Sequence, residues 1–525
     1  MRFIHFVVVY FIFLSRHVFA INILAIISLP LQSHFMAFKN LFHELASRGH
    51  SVTVMNTFPD QNTTNLEYID LEYGLKHEFT TLEEFENMCS WTLHLANFAK
   101  HFTMGSIVVS DDCDILFNSV NAKHHLASRR KYDVIFVEQF VSDCALAYAA
   151  SHYDAPIIGL TSHVLLPWTY SALGIPFDVS SFPYYFSSEG PQPSLLAKLQ
   201  SSLMNLYINF YGMPYILHKP IYDAFEKYMP NVPLNMEQIV KDRMKMVFAY
   251  QHFSMTGARL LAPQVLEIGG IHITNPKTVP KDIEDFLSDA DHGAIYVSFG
   301  SNLRTSSMSE HMLQNFLAAF SRIPQKVLFK WELDKFPPGH ENILTRKWFP
   351  QLDVLCHPKV LAFVSHGGML STSEAAHCGK PVLTIPFFGD QFTNSATANF
   401  VGFGRTLLFS TITIDSFADT IQELTSPRMQ ENARRVSKQW HDRPMPVMDS
   451  AVYWTEYVAR HRNAPGCLPT KYTSFFQYLL LDVICVLILI LLLLISMIYV
   501  TLKLVTFLLR IMLLKIIYKT KTKRE

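Results

Sequence analysis

The residues most suited to chemistry lie in one stretch, FVSHGGMLSTSEAAHCGKPVLTIPFFGDQF, which begins at Phe363. It carries His366-Gly367-Gly368, then the hydroxyls of Ser371, Thr372 and Ser373, one carboxylate, Glu374, and after a second apolar run the pair Asp390-Gln391. Paired glycines let the backbone pass close to a ligand. A helix starting there turns its free N–H groups and its positive dipole end toward an anion such as a diphosphate. The pattern reads strand, glycine turn, helix, strand, polar tip, which is half of a nucleotide-binding α/β unit. A separate candidate is His34. It follows the apolar run ILAIISL and opens the next helical pattern, so it faces a cleft at a strand end, where an imidazole can take a proton.

The elements that must position these groups are readable around them. INILAIISL, QSHFMAFKNLFHELASRGH and SVTVMN form strand, helix and strand, with Phe35, Phe38, Leu41, Phe42 and Leu45 at helical spacing and Gly49 expected as the C-cap. YDVIFVEQF, CALAYAASHYD and APIIGLT repeat the βαβ logic. From about Leu165 to Tyr250 the chain is rich in Pro, Tyr and Phe and reads as irregular helices and loops lining something apolar. A connector near Ala262 to Pro280 leads to a second series, with strands AIYVSFGS, KVLFKWE, LAFVSHGG and PVLTIPFF. The expected organisation is α/β, with two facing Rossmann-like domains over residues 21–265 and 266–445, then a return helix and juxtamembrane segment over 446–478. Their strand ends would face one cleft.

The ends of the chain differ from this middle. Residues 1–20 resemble a secretory signal peptide, with Arg2, an apolar run and small residues at Val18 and Ala20. Leu479 to Leu502 is strongly apolar and holds one charge, Asp482; as a helix it is ~36 Å long, enough for a ~30 Å hydrocarbon core. Lys503, Arg510, Lys515, Lys519, Lys521, Lys523 and Arg524 follow, so residues 503–525 read as a cytosolic tail and the bulk of the chain as lumenal. The final KTKRE resembles a dilysine retrieval signal of endoplasmic reticulum membrane proteins. Lys+Arg and Asp+Glu are both 44, which gives no electrostatic case for a nucleic-acid partner. The seven cysteines contain no CxxC pair; a disulfide among Cys89, Cys113 and Cys144 is allowed. Asn62-Thr63-Thr64 is a glycosylation sequon for a lumenal chain.

One longer stretch decides among the enzymes that such a cleft can serve. WFPQLDVLCHPKVLAFVSHGGMLSTSEAAHCGKPVLTIPFFGDQ, Trp348 to Gln391, resembles the signature of the UDP-glycosyltransferases, the family that includes the UDP-glucuronosyltransferases. SHFMAFKNLFHELASRGHSVTV and SMTGARLLAPQVLEIGGIHI are similar to insect members. The resemblance runs from Ile21 to the C-terminal tail and implies the GT-B fold. It implies that Trp348 stacks on uracil, Gln351 bonds the uridine portion, Glu374 binds the ribose hydroxyls, His366 and Ser301 meet the phosphates, and Asp390 and Gln391 hold the sugar. Vertebrate members commonly carry Asn-Gly where this chain has Leu370-Ser371; the Ser371 and Thr372 hydroxyls are the available substitutes. On the acceptor side the resemblance makes His34 the general base with a carboxylate behind it. Counting to the end of DVIFV gives Glu138, with Asp143 as the competing choice. Arg259 resembles an arginine that can meet a glucuronate carboxylate.

The sequence therefore leads us to expect a membrane-anchored, inverting transferase of the endoplasmic reticulum. It would move a hexose from a UDP-sugar, UDP-glucose before UDP-glucuronate, to a small lipophilic acceptor without metal or cofactor. A homo-oligomer is compatible with this. The rivals are a non-catalytic lumenal binding protein and a retaining lipid-linked transferase of the same fold.

Overall fold

The structure, a computed structural model, describes residues 20–73, 80–86, 105–184, 187, 189–462, 477 and 480–521. Residues 1–19, expected to be most of a signal peptide, lie outside these, as do Cys89 and the last four residues of KTKRE. The first half of the chain supplies strands β1 (Asn22–Ile27), β2 (Ser51–Asn56), β3 (Leu66–Asp70), β4 (Thr80–Thr81), β5 (Val134–Glu138), β6 (Ile157–Thr161), β7 (Met244–Ala249) and β8 (Val265–Glu267). The second supplies β9 (Ala294–Ser298), β10 (Leu303–Arg304), β11 (Lys326–Lys330), β12 (Ile343–Arg346), β13 (Val360–Ser365), β14 (Val382–Thr384) and β15 (Gly404–Thr406). They form two parallel sheets, ordered β3-β2-β1-β5-β6-β7-β8 and β12-β11-β9-β13-β14-β15. The central strands are apolar almost throughout and buried, as helices on both faces require. β8 puts the end of the first sheet inside the Ala262–Pro280 connector.

In each sheet the strand order runs outward in both directions from one point: between β1 and β5 in the first, between β9 and β13 in the second. At such switch points successive connections leave on opposite sides and open a crevice at the carboxyl ends of the strands. Helix α1 (Gln32–Ser47) leaves β1 and buries Phe35, Phe38, Leu41, Phe42 and Leu45. Its C-cap is Arg48 rather than Gly49; the glycine lies one residue on, at φ +94°, where a left-handed turn ends the helix. Helix α2 (Cys144–His152) follows β5, and helix α3 (Leu195–Tyr207) lies in the aromatic-rich insertion between β6 and β7. In the second half, helix α4 (Met369–His377) follows β13 and helix α5 (Gln391–Val401) follows β14.

The halves are tied to each other. β4 pairs in parallel with β10, and Leu82 and Phe85 beside it are buried in the core of the second half. Helix α6 (Val447–Arg460) returns to the first half, where Asp449 pairs with Arg48 and Glu456 Oε1 lies 3.3 Å from His50 Nε2. Disulfides join Cys113 to Cys144 and Cys356 to Cys378; the second was not anticipated from spacing.

Pro469–Glu525 forms a compact unit of its own. Its helix α7 (Leu481–Lys521) does not stop at Leu502 but runs on through Lys503, Arg510 and Lys515. Within Leu481–Ile516 an 18-residue window reaches a mean hydropathy of 3.3, so the helix is long and apolar enough to cross a membrane.

Candidate active site

The carboxyl ends of β9, β11, β13 and β14 gather the residues of the second half. His366, directly after β13, is held between two glycines. A Cβ on Gly300 would stand 2.6 Å from His366 Cε1, and one on Gly368 would stand 2.4 Å from His366 Nε2. Gly367 has φ +84°, and a Cβ there would press to 2.7 Å from Ser395 Oγ. Burial, then the Lys330 cation, push His366 down to about 4, so its ring is neutral near pH 7. Its buried Nδ1 has no hydrogen-bond partner among the described residues. Such an orphaned polar atom is suited to a ligand. Next to it α4 begins with Gly368 as N-cap and no side chain capping it, which leaves its first-turn N–H groups open.

Around this turn stand the remaining candidates. Ser301 is half-buried in the turn after β9, beside Gly300 at φ +80°. Gln351 Nε2 donates to Ser371 Oγ at 3.0 Å and to the Glu374 carboxylate, whose other oxygen lies 3.5 Å from His272 Nε2. Trp348 is 67% exposed, an open aromatic face at the edge of this cluster. Asp390 Oδ2 accepts from Asn394 Nδ2 at 2.8 Å. Burial pushes the Asp390 carboxyl up, while the Asn394 bond and the field of His34 pull it down. Gln391 is buried, and its Oε1 accepts from the N–H groups of Phe387 at 2.8 Å and Phe388 at 3.1 Å. It shapes the loop and leaves only its amide nitrogen for a ligand.

Two residues were passed over in the sequence. Lys330 ends β11 and is buried; its Nζ donates to Gly300 O at 2.7 Å, pairs with Glu332 at 3.1 Å and lies 5.9 Å from the Trp348 ring centre. The available signal was a lysine inside the apolar strand KVLFKWE, where a cation needs partners. Asn394 donates to Gly367 O at 3.0 Å as well as to Asp390, and so ties the glycine turn to the start of α5.

On the first sheet His34 Nδ1 lies 2.5 Å from Glu138 Oε1, with the two side chains 14% and 2% exposed. Glu138 is the last residue of β5 and β1 is its neighbour, so the pair spans the switch point. Of the two carboxylates weighed, Asp143 is the one excluded from this pair. It sits at the N-cap of α2, 3.5 Å from His218 Nε2, and accepts from Gln139 Nε2 at 3.4 Å. Behind them Ser142 Oγ donates to Asp112 at 2.5 Å, and burial pushes the Asp112 carboxyl up to about 7. The His34 ring packs 4.8 Å from that of Phe140, which borders an apolar cluster of Leu166, Trp168, Tyr184 and Ile208. Arg259 lies elsewhere: its guanidinium is 4.0 Å over the Phe182 ring, with Tyr170 as its hydrogen-bond partner. Asn62 is exposed, and its Oδ1 accepts from Tyr68 N at 2.7 Å.

This two-sided cleft has counterparts among known proteins. The family model described as UDP-glucoronosyl and UDP-glucosyl transferase matches residues 25–520. The chain belongs to this family. As a UDP-glycosyltransferase it is 34% identical over 493 residues to UDP-glycosyltransferase UGT5 of Dactylopius coccus, covering 92% of each chain. It is 31% identical to UDP-glucosyltransferase 2 of the same insect, over 89% of this chain and 90% of the relative. It is 28% identical to UDP-glucuronosyltransferase 2B15 of Rattus norvegicus, over 86% and 87%. The solved glycotransferase of kitacinnamycin matches 84% of this UDP-glycosyltransferase and 99% of its own chain at a TM-score of 0.57 and 17% identity. CalG4, the calicheamicin glycosyltransferase, matches 85% and 100% at 0.52 and 16%. The architecture of this UDP-glycosyltransferase is the GT-B fold.

Proposed function

We propose that this enzyme moves glucose from UDP-glucose to a hydroxyl of a small lipophilic acceptor, such as a phenol, flavonoid or steroid, with inversion at the anomeric carbon. The observation that carries this reading is the His34–Glu138 pair at the switch point of the first sheet. A carboxylate can only accept, so Nδ1 carries the proton toward Glu138 and Nε2 keeps a lone pair for the acceptor hydroxyl. The acceptor oxygen attacks the anomeric carbon as His34 takes its proton. The bond from that carbon to the diphosphate oxygen breaks, and UDP leaves with the bonding pair. Glu138 then stabilises the imidazolium.

On the donor side His366, Ser301 and the open N-terminus of α4 would receive the diphosphate, with Lys330 adding positive charge. Trp348 and Gln351 would hold the uracil end, Glu374 the ribose, and Asp390 with the Gln391 amide the sugar. No metal has a part in this reading. Glucose is favoured over glucuronate by the relative named a glucosyltransferase and by the engagement of Arg259 with Phe182 and Tyr170. We place the two sheets in the lumen of the endoplasmic reticulum, anchored by α7. Two disulfides suit an oxidising compartment, Asn62 is exposed for a glycan, and the basic residues after Leu502 favour the cytosolic side.

A donor-by-acceptor screen on the full chain, read by product mass and anomeric configuration, tests the reading. A β-glucoside of a phenol is expected. A glucuronide would change the donor, an α-product would make the enzyme retaining, and UDP binding without product would make the chain a binding protein.

A further inference from the structure

Helix α3 and the stretch that continues it present their apolar residues the wrong way round for a protein surrounded by water. Beyond Tyr207 the helix continues as a π-helical stretch, Ile208–His218, with Pro214 inside it. Along α3 itself the buried positions are small, Ala197 and Ser201, and Ser201 Oγ accepts from Tyr184 N at 2.7 Å; the continuation buries Gly212 together with Ile208 and Leu217. The outward positions are large and apolar: Leu199 is 56% exposed, Leu203 58% and Tyr215 60%, with Leu206 and Phe210 exposed between them. An amphipathic helix on a soluble domain buries its leucines and shows its small and polar residues. The reverse arrangement, small residues toward protein and leucines outward, is that of helices solvated by lipid.

We infer that this outer face of α3 and its π-helical continuation lies in the interfacial layer of a phospholipid bilayer, as a membrane contact separate from α7. The inference rests on the membrane-anchored reading of α7 given above. Three further observations favour a bilayer over a second copy of the chain. Tyr207, Tyr211 and Tyr215 follow one another along the face with ring centres 5.4 Å apart in each step, and tyrosines with an apolar body and a polar tip settle at headgroup depth. Lys198 and Lys219 flank the face, and no Asp or Glu occurs between Glu189 and Asp223, which suits anionic headgroups. The chain between Arg462 and the start of α7 can span at most roughly 65 Å, so anchoring holds this face at high effective concentration near lipid. The inner side of the same element, through Ile208, Met213 and Ile216, packs on the apolar cluster that Phe140 shares with His34. A lipophilic acceptor dissolved in the bilayer would thus meet one thin wall between the lipid and the base.

The test uses the full-length protein in phosphatidylcholine–phosphatidylserine vesicles that contain a phospholipid with a photoactivatable diazirine on its acyl chain. Adducts are mapped by mass spectrometry after digestion. We expect adducts in the peptide over 195–215 as well as in 483–502, and none in the solvent-facing helix Pro427–His441. Adducts in 483–502 alone would overturn this inference and leave the anchor standing. No adducts in either would remove the anchored reading and the inference with it. Cross-links between Lys198 of two copies, with 195–215 unlabelled, would assign the face to a dimer and also overturn it. As a second readout, the combined variant Leu199→Gln, Leu203→Gln, Leu206→Gln changes only exposed side chains. It should raise KM severalfold for an acceptor that partitions into the vesicles and leave KM for a water-soluble phenol unchanged. Equal KM values for wild type and variant on both acceptors would count against the bilayer contact.

Discussion

At His34 Glu138 occupies Nδ1, which leaves Nε2 for the base role proposed above. His34→Ala should lower turnover by ~10²–10⁴-fold and leave UDP affinity near wild type, since the residue stands on the acceptor side. Glu138→Gln should cost less, because the imidazole remains and only its tautomer and charge stabilisation suffer. Combined with His34→Ala it should add little, as the two act as one unit. Asp143→Asn should be near silent in turnover, because its carboxylate faces His218 and Gln139; steady-state kinetics on the four variants decides, and a deep loss in Asp143→Asn would refute the pairing. At Glu374 the expectation concerns binding. Glu374→Ala should cost ~1.5–3 kcal/mol of UDP affinity by calorimetry, whereas Asp390→Ala should weaken UDP-sugar more than UDP. Equal losses of UDP affinity in both would mean that the roles are not divided this way.

At the scale of elements, the two glycines that hold His366 make a sharper case than the histidine itself. Gly300→Ala adds a methyl where 2.6 Å separates the Cβ position from the imidazole, at φ +80°. The ring must move or the turn must strain, at about 1–3 kcal/mol. UDP affinity should fall while thermal stability changes modestly; an unchanged affinity would mean that the ring is not a ligand contact. The elements carrying the site were legible for a physical reason: β1, β5, β9 and β13 are buried on both faces and read as unbroken apolar runs closed by turn residues. The edge strands β3, β8, β12 and β15 were not singled out, because an edge strand is short and need not be apolar throughout. Glu138 and Asp143 could not be separated by spacing alone, since which one meets His34 depends on β5 lying beside β1. Lys330 was missed because Glu332, two residues on, reads as an ordinary surface partner, and the contact with Gly300 O that turns it toward the site comes from another strand end. The aromatic richness of the insertion was plain, but which side of α3 faces outward was not, because outward leucines contradict the usual rule for a helix on a soluble domain.

For the whole molecule, acid and base act on stability from opposite sides. His252, His366 and His377 are each pushed down to about 4, chiefly by burial, from an ordinary 6.5. Between those values the unfolded chain binds protons that the native protein refuses, so stability falls as pH drops from 6.5 toward 4. Asp112 works the other way: held up to about 7 from 3.8, it keeps a proton that the unfolded chain has lost, so its contribution is lost as pH rises across that interval. The Tm of ligand-free protein should therefore fall on the acid side, and the Asp112→Asn variant should gain on wild type progressively between pH 4 and 7. A gain that is the same at every pH would show that Asp112 does not titrate as described. The return of α6 to the first half bears on how the protein is made. Asp449 pairs with Arg48 across 401 positions of sequence, and α6 buries Ala451, Val452, Thr455 and Val458. At ~5–20 residues per second, the surface that receives α6 waits about 20–80 s after its own synthesis for that helix to arrive. During that interval the nascent first half is an incomplete domain with an apolar seat open to chaperones. A message cut short before codon 447 would yield a chain that cannot close this seat, however complete its two sheets.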